Sequence, residues 1–300
     1  MGGECGSAPI RRFVCGAWRS LRLCGSISWC VVREAPGGIE VIFHTLDGSG
    51  DPLLLLNGIA MTAASWQPVA RPLAERFTVV RCDLRGQLMS PGRPPADVGD
   101  HIGDVVELLD HVGLESVHVL ATSFGGAVGA LLAARAPERV RSLMSVASAD
   151  GFTESMADEV ARWRDATVRS LEGPDRGVLS DVLEPVVYSP AYVEAHRDER
   201  ALRRRQIAAL PDAWFDGLVG LLDSAESFSL SSELAAIRCP VLVVAAELDA
   251  FIPLERCRAL AETIPNAEFR VIEGAGHAVV VEQPATVADL ALEFFLRASP

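Results

Sequence analysis

A serine, an aspartate and a histidine are the residues of this chain best suited to share one reaction. Ser123 lies in Ala121-Thr122-Ser123-Phe124-Gly125. Before it runs the apolar stretch Val117-His118-Val119-Leu120; after it Ala127, Ala130, Leu131 and Ala134 recur at helical spacing. Almost no loop separates the two patterns, so Ser123 falls at the apex of a tight strand-to-helix turn. A serine there either caps the helix or is presented for chemistry. The pentapeptide fits the nucleophile-elbow pattern G-x-S-x-G with Ala in the first position. Small residues two places either side let the backbone approach itself. The next amide, that of Phe124, is then aimed where an oxyanion would form, with help from the helix N-terminus.

A serine hydroxyl is a poor nucleophile at neutral pH and needs an adjacent base. His277 follows a strand on the glycine-rich loop Glu273-Gly274-Ala275-Gly276-His277; the plainer reading is a surface-loop histidine. The other histidines suit the role less. His44 and His118 fall in strand patterns, His101 and His111 in a helical region, and His196 in a polar helical stretch. An imidazole base in turn needs a carboxylate to fix its tautomer and stabilise its charged form. Asp249, just past the strand VLVVAA, is favoured by chain order and loop position; Asp150, after the preceding strand, is the rival. Either acid could instead serve as a turn or capping residue.

These loops need a scaffold, and the pattern supplies one. ISWCVVRE and IEVIFHTL read as strands joined at Pro36-Gly37-Gly38, and Asp47–Pro52 as a turn cluster. LLLLNG, FTVVRCD, residues 116–122, 140–148, 239–249 and 267–277 read as further strands. Helical patterns cover 66–76, 97–112 and 284–297. Strands apolar throughout, alternating with helices, indicate an α/β architecture: a mostly parallel sheet with helices on both faces and an antiparallel start. Residues 151–235 contain no strand-like run. They read as helices inserted over the strand C-termini, where open α/β sheets bind ligands.

Composition narrows the chemistry. Forty acids against 27 bases leave a net charge of −13, which disfavours nucleic acid or an anionic membrane as partner. All the bases are arginine, so Schiff-base, pyridoxal-phosphate and Walker-loop chemistry on lysine is excluded. The seven cysteines show no CxxC spacing, so neither a metal site nor a redox pair is expected. Their odd, scattered distribution fits a cytoplasmic location. No apolar run reaches membrane-spanning length. Residues 1–27, with arginines interrupting every apolar stretch, read as a disordered extension. Gly125-Gly126-Ala127-Val128-Gly129 lacks the GxGxxG spacing, and no cofactor is expected.

The order Ser123, Asp249, His277 resembles that of the α/β-hydrolase superfamily. LLLLNGIA stands where that family has a strand ending in His-Gly, with Asn57 in place of His. CDLRGQLMSPG resembles its Asp-x-Arg-Gly-x-Gly-x-Ser loop, with Leu88 in place of Gly and Asp83 and Arg85 in structural positions. ALAETIPNAEFRVIEGAGHAVVVEQP resembles its closing segment. The resemblance covers roughly residues 28–300 and points to the cap-bearing serine esterases and enol-lactonases. It implies an α/β-hydrolase core over 28–150 and 236–300 with a helical cap over 151–235. It also implies a second oxyanion donor at the amide of Ile59. Asn57, Met156, Trp163 and Trp214 are the expected pocket residues, although aromatics such as these more often pack inside a cap. The expected reaction is cleavage of a small carboxylic ester or lactone through an acyl-enzyme on Ser123. Carbon–carbon bond hydrolysis or cofactor-free perhydrolysis on the same residues, and a non-catalytic receptor for a small ligand, are the alternatives. Oligomeric state is left open.

Overall fold

The computed structural model describes residues 41–225, 229–230 and 232–298. The expected extension 1–27, the strand ISWCVVRE and the Pro36-Gly37-Gly38 turn lie outside the described residues.

Seven strands form one sheet: β1 (His44–Gly48), β2 (Asp51–Leu56), β3 (Phe77–Cys82), β4 (Val117–Thr122), β5 (Val140–Val146), β6 (Val241–Ala246) and β7 (Glu268–Ile272). Their order is β1-β3-β2-β4-β5-β6-β7. β1 pairs antiparallel with β3, and every other pairing is parallel. The expected turn cluster Asp47–Pro52 is shorter than its composition suggests. β1 runs through Gly48 and β2 starts at Asp51, so only two residues link them, and β3 lies between the two strands.

The central strands are buried on both faces because both are covered. Leu54 and Leu56 of β2, Val119 and Ala121 of β4 and Val241 and Val243 of β6 join one core, with α2 (His101–His111), α3 (Phe124–Arg135) and α9 (Leu254–Thr263). Leu53 and Leu55, Leu120 and Leu242 and Val244 point the other way. They pack on α1 (Gln67–Leu73) and α11 (Pro284–Ala298). That alternation is the period-two side-chain geometry of a strand. α11 meets it with Val287, Ala288, Ala291, Phe294 and Phe295, a single helical face. A short α10 (Val279–Glu282) precedes it. The helical pattern expected from residue 97 resolves into a short 3-10 turn, capped by Asp97, that leads into α2.

Between β5 and β6 lie α4 (Glu154–Glu172), α5 (Val178–Val187), α6 (Pro190–Ala195), α7 (Arg200–Ala208) and α8 (Asp212–Ala225). Thr153 caps α4 by accepting from the amide of Met156, as a helix N-cap should. Met156, Val160, Trp163 and Thr167 form its buried stripe, and α8 answers with Trp214, Phe215, Leu218 and Leu221. Among the described residues no helix is long and apolar enough to cross a membrane.

Candidate active site

β4 delivers Ser123 and α3 leaves from it without a linking residue. The cost is a strained backbone: Ser123 has φ 52° and ψ −120°, outside the regions open to most side chains. Such a conformation costs about 1–3 kcal/mol and persists only where its surroundings hold it. Here they do. The Ser123 amide donates to the carbonyl of Val146 at 2.9 Å, and its carbonyl accepts from the amide of Gly126 at 2.8 Å and from Ser148 Oγ at 3.0 Å. Gly125 is required by close approach, because a Cβ there would sit 2.5 Å from the carbonyl oxygen of Leu56. Ala121, the departure from the usual glycine, is accommodated because it faces Gly129, where α3 carries no side chain. The Ser123 hydroxyl makes no capping bond to α3.

That hydroxyl instead lies 3.0 Å from Nε2 of His277, whose Nδ1 lies 2.8 Å from Oδ2 of Asp249. Asp249 therefore receives the Nδ1 proton, leaving Nε2 as the acceptor for the serine. The other carboxylate oxygen accepts from the amides of Phe251 at 2.9 Å and Ile252 at 2.8 Å, which fixes the carboxylate plane. The Asp249 side chain is almost wholly buried, and His277 is nearly so. The ring of Phe251 stands edge-on to the imidazole at 5.2 Å, and Trp163 packs behind it at 4.4 Å. The rival acid, Asp150, is engaged elsewhere, by the guanidinium of Arg256. The other histidines lie apart from this group: His118 Nδ1 meets Ser142 Oγ, His196 meets the carbonyl of Tyr192, and His44 that of Ile42.

The loop after β2 carries Ile59, whose amide is the expected second donor. The N–H groups of Ile59 and Phe124 form no hydrogen bond among the described residues, and both residues line the cavity that contains Ser123 and His277. Asn57, fully buried, holds this loop from beneath. Its Oδ1 accepts from Trp66 Nε1 at 2.8 Å, and its Nδ2 donates to Gln87 Oε1 at 2.8 Å and Asp83 Oδ1 at 3.2 Å. Gln87 then donates to the carbonyls of Gly58 at 2.9 Å and Ile59 at 3.3 Å. Burial pushes the Asp83 carboxyl up from its ordinary range, opposed by bonds from the amides of Met89 and Ala63 and from Asn57. Arg85 pairs side-on with Asp104, outside this network's centre.

The cavity has a volume of about 240 Å³. Of the four expected pocket residues, Trp163 lines it and Asn57, Met156 and Trp214 do not. Asn57 is spent on the network below the loop. Met156 and Trp214 turn into the packing of α4 and α8, the ordinary fate of large apolar side chains on paired helices. Sequence reading missed Gln87, Phe251 and Glu282. Gln87 and Phe251 lie within the loops that carry Asp83 and Asp249, so their positions were a usable signal; nothing local marked Glu282. Among the described residues no group of His, Cys, Asp and Glu is arranged to hold a metal ion.

Residues 51–284 match the family described as alpha/beta hydrolase fold. A protein of Azorhizobium caulinodans named "Putative carbamate hydrolase RutD" is 31% identical over 271 residues, covering 87% of this chain and 97% of that one. A pimeloyl-[acyl-carrier protein] methyl ester esterase of Aeromonas salmonicida is 30% identical over 251 residues, covering 82% of this chain and 96% of that one.

 The solved structure of a thermophilic esterase from Thermogutta terrifontis superposes with a TM-score of 0.74 at 26% identity, covering 90% of this chain and 97% of that one. The parallel sheet, the strained serine turn and the match over residues 51–284 have one conclusion: the chain belongs to the α/β-hydrolase fold family.

Proposed function

We propose that this protein is a serine hydrolase that cleaves a small carboxylic ester or lactone through an acyl-enzyme on Ser123. His277 Nε2 takes the Ser123 proton as Oγ attacks the carbonyl carbon. Asp249 holds the imidazole in the required tautomer and stabilises its protonated form. The amides of Ile59 and Phe124 receive the oxyanion; losing one such donor costs about 10²–10³ in rate. His277 then returns the proton to the departing oxygen. A water that gives its proton to His277 attacks the acyl-enzyme and releases the acid. The helices α4–α8, within residues 151–235, act as a cap that closes an apolar cavity over these groups.

One observation carries the reading: a serine on a strained turn lies 3.0 Å from an imidazole whose other nitrogen meets a buried carboxylate. A helix-capping serine would need neither partner. The name of one relative, a methyl ester esterase, supports the ester reading; that of the other, a putative carbamate hydrolase, favours a second reading in which the scissile carbonyl belongs to a carbamate. Among the described residues the thiols of Cys82, Cys239 and Cys257 are free, which suits a reducing cytoplasm.

The test is a hydrolysis panel of short esters, lactones, carbamates and vinylogous diketones, run on wild type and Ser123→Ala, with a serine-directed phosphonate as label. Ester or lactone turnover that falls by about 10³-fold or more in the variant, with labelling at Ser123, is expected. Turnover that survives in Ser123→Ala would end the serine mechanism.

A further inference from the structure

The cavity holds a polar group that the triad does not use. Ser180 and Glu184 lie one turn apart on α5, Tyr188 follows directly after that helix, and Arg203 reaches in from α7; all four line the cavity. Arg203 Nη2 donates to Glu184 Oε1 at 3.2 Å and its Nη1 to the carbonyl of His196 at 3.4 Å. Both bonds are long for a guanidinium. Among the described residues its Nε is buried without a hydrogen-bond partner. The guanidinium also lies 5.7 Å from the centre of the Tyr188 ring.

An ion pair that only braced α5 against α7 would satisfy its own donors. This one does not. Glu184 is the one carboxylate among the residues lining the cavity; Arg200 Nε approaches the same oxygen at 3.7 Å, and outside the lining Glu199 Oε2 lies 3.8 Å from Arg203 Nη1. The hydroxyls of Ser180 and Tyr188 form no hydrogen bond among the described residues. Burial pushes the Tyr188 phenol up, so its proton stays available for donation. Donors therefore outnumber acceptors, in a cavity otherwise lined by side chains such as Ile59, Met61, Leu183 and Leu222. An apolar substrate end placed here would leave those donors dry, which is costly.

The place of this group relative to the triad follows from α5. Val187, its last residue, accepts from the amide of Ala278 at 2.7 Å, next to His277. Glu184 lies about 5 Å and Ser180 about 10 Å further along the helix axis. The polar group thus stands one to two helical turns from the catalytic loop.

We propose that Arg203, with Tyr188 and Ser180, binds a carboxylate at the end of the acyl group remote from the scissile carbonyl, so that the preferred substrates are mono-esters of short dicarboxylic acids or carboxylate-bearing lactones. The inference rests on the serine-hydrolase reading. A guanidinium matches a carboxylate with paired donors, which an ammonium cannot do. The acyl part stays bound through both half-reactions, so an anchor placed on it serves both.

The experiment compares kcat/KM for monomethyl adipate and methyl hexanoate in wild type, Arg203→Met and Arg203→Lys. Wild type is expected to prefer the carboxylated ester by roughly 10–100-fold. Arg203→Met brings that ratio near one, and Arg203→Lys restores part of it. A wild type that favours methyl hexanoate, or a ratio unchanged in Arg203→Met, overturns the inference. The wild-type ratio decides the matter even where a variant fails to fold. Phosphonate labelling of Ser123 with turnover of methyl hexanoate but no carboxylate preference sinks this inference alone; loss of both labelling and turnover sinks the hydrolase reading instead.

Discussion

Glu282 ties the histidine loop to the helices above it, and removing its carboxylate tests whether that tie positions the base. Its Oε1 accepts from the amide of Ser189 at 2.9 Å and that of Gly276 at 3.1 Å; its Oε2 accepts from Ser189 Oγ at 2.6 Å. Ser189 caps α6 by accepting from the amide of Tyr192, and Gly276 immediately precedes His277. The approach is tight enough to demand glycine, since a Cβ at Gly276 would sit 2.5 Å from the Ser189 amide nitrogen. Glu282→Ala leaves two amides without their acceptor. At about 1–3 kcal/mol for each orphaned group, with water recovering part at this half-buried site, the expected loss is about 2–4 kcal/mol.

Catalysis should suffer separately from stability. With Glu282 gone, the bond from Ala278 to the Val187 carbonyl remains as the backbone link beside His277. A displacement of the imidazole by about 1 Å can cost about 10²-fold, so kcat is expected to fall by roughly 10–100-fold with KM changed much less. Glu282→Gln keeps one oxygen for both amides and should recover most of the rate. The assay pairs calorimetric melting with steady-state kinetics on an activated short-chain ester, and hydrogen exchange at the amides of Gly276 and Ser189. Glu282→Ala with kcat within about threefold of wild type, and unchanged protection at those amides, would refute the positioning role.

Two further perturbations probe the scaffold. Gly125→Ala forces a methyl against the Leu56 carbonyl and is expected to cost about 3 kcal/mol, read as a melting temperature lowered by several degrees; an unchanged melt would contradict the close approach. His101 is fully buried against the Phe124 ring, and burial lowers its pKa from 6.5 to about 4. The unfolded chain binds this proton first, so stability present above pH 6.5 is lost as pH falls towards 4, on the order of 3 kcal/mol. His101→Leu should flatten that part of the acid limb in denaturant titrations, and a variant with the same pH slope as wild type would count against it.

Chain order made the meeting of Ser123, Asp249 and His277 legible because each is set by local pattern: a small-residue turn after β4, an acid after β6, a glycine loop after β7. The burial of β2, β4 and β6 was equally visible, since strands covered on both faces read as continuous apolar runs. The pocket was not. A helical face announces that Met156 and Trp214 are buried, but not whether a neighbouring helix or a cavity buries them; α4 and α8 bury them in each other. Asn57, expected in the pocket, could not be placed from sequence because its partners are remote along the chain. In the fold it is a buried hub whose partners, Trp66, Asp83 and Gln87, lie nine to thirty residues away.

The same limit explains why the arginine run Arg203-Arg204-Arg205 carried no reading in the sequence. Arg204 pairs with Asp175 and Asp181 at the surface, whereas Arg203, its neighbour, turns into the cavity towards Glu184. Adjacent positions on a helix point about 100° apart, so one run of like charges can serve solvent and cavity at once. The arrangement around Ser123 is built from loops at strand ends, which local sequence describes well. Under the proposed carboxylate anchor, substrate choice is built from helix faces meeting across α5 and α7, which only the assembled fold brings together. A substitution at Arg203 should therefore redirect which ester is cleaved, while one at Glu282 should slow the cleavage of every ester alike; equal effects of both on the two substrates would show that anchoring and positioning are not separate in this cavity.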